Sequence, residues 1–290
     1  MKPAPFSYLR PESLDEAIAL LAKHGGNAKI IAGGQSLMPM LAFRLAAPDY
    51  LVDIGRLQQL KRIDITPDGT ELGALVRWRD VEKNTQLAQA HPLLAEAVRN
   101  VAHYQIRNRG TVGGSLAHAD PAAELPGVAL ACDATIIARG PKGTRKIAAA
   151  DFFAGALITA LELDEILLSV RFPSWQAQRC WAFEEFARRK GDFALAGVAM
   201  FYDTDADGHV REPHIAAIGV SSTPVRLTAC EDALAGRRLD RHTAEEIARL
   251  APAGLDMHDD IHAPADYRAA LLTVLVERAL TRAAGLRDTA

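Results

Sequence analysis

Cysteine is scarce in this chain: three residues in 290, Cys132, Cys180 and Cys230, far apart and never spaced as C-x-x-C. Neither an iron–sulfur cluster nor a thiolate zinc site can be assembled from such a set. Three free thiols fit a reducing compartment, so a cytoplasmic location is expected. No single sign of charge dominates. Thirty-three Lys and Arg stand against 36 Asp and Glu, mixed along the chain. A nucleic-acid-binding surface would need a basic stripe, and none is present. No apolar run is long enough to span a bilayer. The start, Met1-Lys2-Pro3-Ala4-Pro5, lacks the apolar core of a signal peptide. G-x-G-x-x-G, the P-loop pattern, a Ser-His-Asp or Cys-His arrangement, internal repeats and low-complexity stretches are also missing. A Rossmann-type nicotinamide site is thereby disfavoured.

What remains is an ordinary globular composition, 49% apolar and 24% charged, long enough for about two domains. Ser13-Leu14-Asp15-Glu16 is a capping box, and Leu14, Ile18 and Leu21 follow at helical spacing until Gly25-Gly26. A strand over 28–32, a helix over 37–44 and a strand over 50–54 make a short strand–helix–strand unit. Thr66-Pro67-Asp68-Gly69-Thr70 is a turn between two strands. Asp80 caps a helix reaching His91-Pro92, and a second helix runs from Pro92 to about His103. The run from Gln105 to Glu124, rich in Gly, Asn, Asp and Pro, reads as loop. Strands are expected over 134–138 and 166–172, with a domain boundary at Pro173-Ser174. Three further strands, 180–186, 193–202 and 214–220, precede helices at 228–235, 243–250 and 265–284. Strands followed by helices indicate an α+β domain.

Two double glycines stand out. Ile30-Ile31-Ala32-Gly33-Gly34-Gln35-Ser36-Leu37 runs from an apolar strand into a helix start, and Thr111-Val112-Gly113-Gly114-Ser115 again sets a double glycine beside a serine. Glycine admits a ligand close to backbone N–H groups and permits φ > 0. A strand–Gly-Gly–helix turn therefore suits a phosphate. Taken singly, each is more often plain turn geometry. Asp203-x-Asp205-x-Asp207-Gly208 begins like a calcium loop, but its twelfth position is His214 instead of Glu, so a hairpin turn explains it better. His258-Asp259-Asp260-Ile261-His262 reads as a solvated connection between helices. No metal site is expected.

These stretches together carry a family resemblance. Ala32-Gly33-Gly34-Gln35-Ser36-Leu37-x-Pro39, Gln105-Ile106-Arg107-Asn108-x-Gly110 to Ser115, Asp120-Pro121-x-x-Glu124-Leu125-Pro126, Phe152-Phe153-x-Gly155-x-x-x-Thr159, Glu165-Ile166-Leu167 and Arg189-Lys190-Gly191-Asp192-Phe193-Ala194 occur in order. In this the chain resembles the FAD-binding (medium) subunit of the molybdenum hydroxylases, the carbon monoxide dehydrogenase and xanthine dehydrogenase type.

The resemblance implies an α+β chain. A two-lobed FAD-binding domain of the vanillyl-alcohol-oxidase (PCMH) type would fill 1–174, with lobes over about 1–55 and 56–174. A small domain with a three-stranded antiparallel sheet and helices would fill 175–290. It also implies that Ile31, Ala32, Gly33, Gly34, Gln35, Ser36 and Leu37, with Thr111, Gly113, Gly114 and Ser115, hold the FAD pyrophosphate through backbone amides. Glu124 would accept from sugar hydroxyls, Leu167 would form an apolar wall, and Val101 would lie near the adenine. Asp192 and Phe193 would stand beside the flavin, with Phe193 where relatives often carry Tyr. His118 is as suited to a second layer around the cofactor as to direct contact. Molybdopterin and 2Fe-2S clusters would belong to a large and a small partner subunit, in a dimer of heterotrimers. Substrate oxidation would occur on the partner, so no catalytic residue is expected here. The alternatives are a stand-alone FAD oxidoreductase of the same fold and a non-catalytic anion-binding module.

Overall fold

The computed structural model describes residues 2–286. In the first lobe, β1 (Ser7–Leu9), α1 (Leu14–His24), β2 (Ala28–Ile31), α2 (Leu37–Ala42) and β3 (Tyr50–Asp53) form a parallel sheet in the order β1-β3-β2. The capping box forms with one change, the glutamate reaching past the Ser13 amide to the one before it. Ser13 Oγ accepts from the Glu16 amide, and the Glu16 carboxylate accepts from the amide of Glu12. Leu14, Ala17, Ile18 and Leu21 bury one face of α1 on Val52 and Ile54.

The second lobe runs through β4 (Ile63–Thr66), β5 (Gly69–Gly73), α3 (Trp78–Lys83), α4 (Thr85–Ala90), α5 (Pro92–Val98), α6 (Tyr104–Arg107), α7 (Val112–His118) and α8 (Glu124–Ala131). It continues with β6 (Thr135–Gly140), β7 (Gly143–Ala148), α9 (Ala149–Phe152), the small hairpin β8 (Phe153–Gly155) and β9 (Ile158–Thr159), and β10 (Ile166–Pro173). Its antiparallel sheet has the order β4-β5-β10-β6-β7. The last domain holds β11 (Cys180–Phe186), β12 (Ala196–Thr204), β13 (Val210–Ile218), β14 (Val225–Arg226), α10 (Thr228–Leu234), α11 (Arg241–Ala248) and α12 (Ala265–Ala283).

Four expectations need correction. The run 105–124 is not loop: it holds α6, α7 and the approach to α8. Its short helices are fixed by tertiary bonds. The Arg107 guanidinium donates to the carbonyls of Val101 and Ala102 at 3.0 and 2.9 Å and pairs with Glu82. Asp80 lies inside the first turn of α3, whose N-cap is Arg77, and the helical stretch to position 90 breaks at Asn84, which caps α4 with its side chain. The helix from Pro92 ends at Val98 instead of continuing to His103. The last sheet has four strands, because two-residue β14 pairs with Ala216 and Ala217 of β13.

The last sheet is buried on both faces. Ala182, Val198, Met200 and Ala217 point to α10, α11 and α12. Phe183, Ala199, Phe201 and Ala216 point the other way, into the core of the second lobe. Gly127 is where α8 meets this sheet; a Cβ there would lie 2.5 Å from Ile218 Cγ2. His91 is buried at the same junction. Its Nδ1 accepts from the Leu94 amide and caps α5, its ring packs on Trp175, and Nε2 has no partner. Burial, helped by the nearby Arg179 charge, pushes its pKa down to about 3.

Above pH 6.5 the ring is neutral in both folded and unfolded chains. As pH falls toward 3 only the unfolded chain takes the proton, so stability is lost across that window. His91→Asn keeps an acceptor for the cap and removes the titration. Acid-induced loss of unfolding free energy between pH 6.5 and 3 should then shrink by on the order of 4 kcal/mol in chemical denaturation.

Candidate cofactor site

All three parts of the fold meet at one cleft of about 900 Å³, within the range typical of cofactor sites. The first lobe contributes the turn after β2. The second contributes residues 101–124 and 165–167. The last domain contributes 188–195, Gly219 and residues from 258 to 268.

The turn after β2 is open to a ligand. The amides of Gly33, Gly34, Gln35 and Ser36 have no hydrogen-bond acceptor among the described residues. Ser36 occupies the N-cap position of α2 without capping it, which leaves its hydroxyl free. Gly34 adopts φ +75°, a conformation that favours glycine. Gly33 is required by packing: a Cβ would lie 2.2 Å from the Arg109 carbonyl oxygen. Buried backbone donors are normally paired, so unpaired amides grouped at a cleft wall suit an anion.

The second glycine turn behaves differently. The Gly113 amide donates to Ala74 O at 2.9 Å, Gly114 to Thr111 Oγ1 at 3.1 Å, and Ser115 to Thr111 O at 3.0 Å. These three amides are already engaged as the first turn of α7. The second loop therefore does not offer the free backbone amides expected of it. Gly113 lets α7 lie against Ala74, where a Cβ would sit 2.4 Å from Ala74 Cβ. The second loop offers the cleft its bare glycine surface and the Ser115 hydroxyl.

Of the residues singled out in the sequence, Ala32, Gly33, Gly34, Gln35, Ser36, Leu37, Val101, Thr111, Gly113, Gly114, Ser115, Glu124, Leu167, Asp192 and Phe193 all line this cleft. Ile31 does not. It is paired with Asp53 in the sheet and supports the glycine turn from beneath. Glu124, the first residue of α8, is mostly buried. Burial, with a contribution from the Asp120 charge, pushes its pKa up to about 7. A carboxyl poised there can lose its proton when hydroxyl donors arrive. His118 also lines the cleft, with its pKa lowered by burial. Phe193 stands on the rim, 73% exposed.

The structure adds Arg268, which the sequence did not flag, and corrects the reading of 258–262 as a solvated connection: His258, Asp260 and His262 line the cleft, and Asp260 pairs with Arg268. Arg268 carried a readable signal. It falls on the buried face of α12 with Leu272, Leu275, Val276 and Ala279, and a cation in an apolar stripe calls for partners. In the turn at 203–208, Asp205, Asp207 and His209 bring their ligand atoms within 4.8 Å of one another, but Asp203, the first position of the calcium-loop pattern, is drawn away. Asp203 pairs with Arg179 at 2.8 Å, while Asp205 accepts from the amides of Asp207 and His209.

Comparison with known proteins places the chain in a family. A family model described as the FAD binding domain in molybdopterin dehydrogenase matches residues 4–175. Another, described as the CO dehydrogenase flavoprotein C-terminal domain, matches residues 181–283. The 6-hydroxypseudooxynicotine dehydrogenase complex subunit alpha of Paenarthrobacter nicotinovorans is 40% identical, over 98% of this chain and 96% of its own. Caffeine dehydrogenase subunit beta of Pseudomonas sp. (strain CBB1) is 39% identical over the same shares. A solved structure of carbon monoxide dehydrogenase from Hydrogenophaga pseudoflava contains a chain that superposes with TM-score 0.94 at 37% identity, over 98% of both chains.

Proposed function

This chain belongs to the FAD-binding subunits of the molybdenum hydroxylases, and we propose that it is the electron-transfer subunit of such an enzyme. It would receive electrons from iron–sulfur clusters on a small partner subunit. It would pass them through FAD to an external acceptor. Substrate oxidation would take place at molybdopterin on a large partner, with the assembly a cytoplasmic dimer of heterotrimers. We assign the two lobes to the vanillyl-alcohol-oxidase type of FAD domain, with domains over 1–174 and 175–290.

The observation that carries this reading is the cleft itself. Four unpartnered amides, a bare glycine wall and a buried carboxyl converge on one volume. Those residues fit FAD. The amides of Gly33 to Ser36 and the Ser36 hydroxyl would hold the pyrophosphate, with the Ser115 hydroxyl facing it. Glu124 would accept from sugar hydroxyls, a task for a carboxylate. Val101 and Leu167 would supply apolar walls, and Asp192 and Phe193 the rim. When bound, FAD supplies the redox chemistry; this chain binds it, orients it and limits water around it.

The test is purification of the chain with its genomic neighbours and alone. Flavin absorbance should accompany this chain, and a molybdopterin chain and a cysteine-rich chain should co-purify with it. A colourless chain that takes up no added FAD would overturn the flavoprotein reading. A lone polypeptide with full substrate turnover would overturn the subunit reading in favour of a stand-alone oxidoreductase.

A further inference from the structure

Arg268 is 3% exposed, yet it belongs to the cleft wall. Its guanidinium reaches three separate segments. Nη1 donates to the carbonyls of Leu195 at 2.7 Å and Gly219 at 2.6 Å, and Nη2 pairs with Asp260 at 2.7 Å. Each of those residues also lines the cleft. Leu195 follows the Asp192-Phe193 rim by two residues, so its carbonyl anchors that rim at the entry to β12. Gly219 adopts φ +75° just after β13, and a Cβ there would lie 2.8 Å from Ala194 O. The Gly219 amide donates to Pro121 O at 2.8 Å, tying the same point to the segment that leads into Glu124.

Asp260 is itself a hub. Its Oδ1 accepts from the amides of His262 and Ala263 at 2.8 and 2.9 Å. Burial works against its charge, but these amides and Arg268 outweigh it and bring its pKa down to about 2. The ion pair therefore persists across the physiological pH range. A second tie comes from Arg188, which donates to His262 O at 2.7 Å. The Arg268 Nε is buried without a partner, so the side chain is held in place by its other donors.

We propose that Arg268 is the positioning residue of the cofactor cleft: its guanidinium fixes the 193–195 rim, Gly219 and the 258–263 segment as one rigid wall against which FAD is held. A single planar cation suits this task because its donors diverge in a fixed fork. Lysine keeps the charge but cannot span two carbonyls and a carboxylate in that geometry. This inference rests on the flavoprotein reading for its ligand, but the rigid wall is a property of the chain alone.

The test uses the full chain with R268K and D260N. FAD affinity is read by fluorescence titration, the ring environment by visible circular dichroism of the bound flavin, and the wall by hydrogen exchange without ligand. R268K should bind FAD at least tenfold more weakly, with an altered visible dichroism, and exchange faster over both 193–195 and 258–263. D260N keeps the carbonyl bonds and frees only the 258–263 part of the wall, so it should loosen 258–263 without 193–195 and weaken FAD binding less than R268K does. If R268K does not fold, D260N decides: unchanged exchange over 258–263 would overturn the proposal. R268K with wild-type affinity, dichroism and exchange would overturn it equally. Failure of the wild-type chain to take up FAD would instead defeat the flavoprotein reading, and the exchange data would still judge the wall.

Discussion

Gly33→Ala is expected to lower FAD affinity by about a hundredfold or more, equivalent to about 2.7 kcal/mol. The added Cβ would lie 2.2 Å from Arg109 O, 2.9 Å from Arg109 C and 3.0 Å from Gly110 Cα. All three atoms are backbone, so no side chain can swing away. The turn after β2 and the segment before α7 must separate, which opens the cleft at the point where the free amides converge. Overpacking of this kind costs about 1–3 kcal/mol of stability as well. Gly113→Ala is the control. Its Cβ would strike Ala74, and its amide is already bonded to Ala74 O. A comparable stability loss with a distinctly smaller loss of affinity is expected there. Titration of flavin fluorescence and urea unfolding on both variants separate the effects. Wild-type affinity in the Gly33→Ala chain would refute the placement of the pyrophosphate on this turn.

The second large effect concerns two partly buried acids. Glu185 of β11 faces the second lobe, and its Oε2 is buried without a partner. It is paired in register with Gly197, Gly197 with Ile218, and Ile218 receives Gly127 of α8, one turn from Glu124. Burial, with the Glu124 charge added, pushes the Glu185 pKa up to about 8. Both acids ionise near 4.3 in the unfolded chain. The folded chain therefore keeps protons that the unfolded chain has lost, from about pH 4.3 up to about 7 for Glu124 and about 8 for Glu185. Stability should decline as pH rises through that window and level off above it.

Glu185→Gln abolishes its share of the decline. The variant's advantage over wild type should grow from pH 5 to pH 8, reaching on the order of 3 kcal/mol, and then stay constant. Binding adds a second signature at Glu124. Hydroxyl donors favour the ionised form, so FAD affinity should fall by up to about tenfold per unit as pH drops below 7. Glu124→Gln should flatten that profile. An advantage for Glu185→Gln that does not change with pH would show that Glu185 is already ionised in the folded chain.

The sequence made the local features legible. Ser13 and Glu16 sit where a capping box needs them. The turn at Asp68-Gly69 joins β4 to β5 in both readings. The motifs from Ala32 to Ala194 also marked the turns that form the middle of the cleft wall, but not its flanks at Ala74, Trp78, Gly219 and Arg268. These are short-range matters, set by residue type and by spacing along a few residues.

The structure decided what depends on neighbours distant in the chain. Helices α6 and α7 lack the periodicity that marks a helix, and bonds from Arg107 and Thr111 make them. The two double-glycine turns look alike in sequence. Only packing shows that one leaves its amides free, whereas the other spends them on Ala74 and Thr111. Burial, which no local pattern encodes, raises Glu124 and Glu185 and brings Arg268 into the cleft wall. The sequence by itself thus marked the two glycine turns and the acidic residue that the fold brings to one cleft. Tertiary structure decided which of their donors and protons are free to act, because a hydrogen-bond group is available only when folding has not already given it a partner.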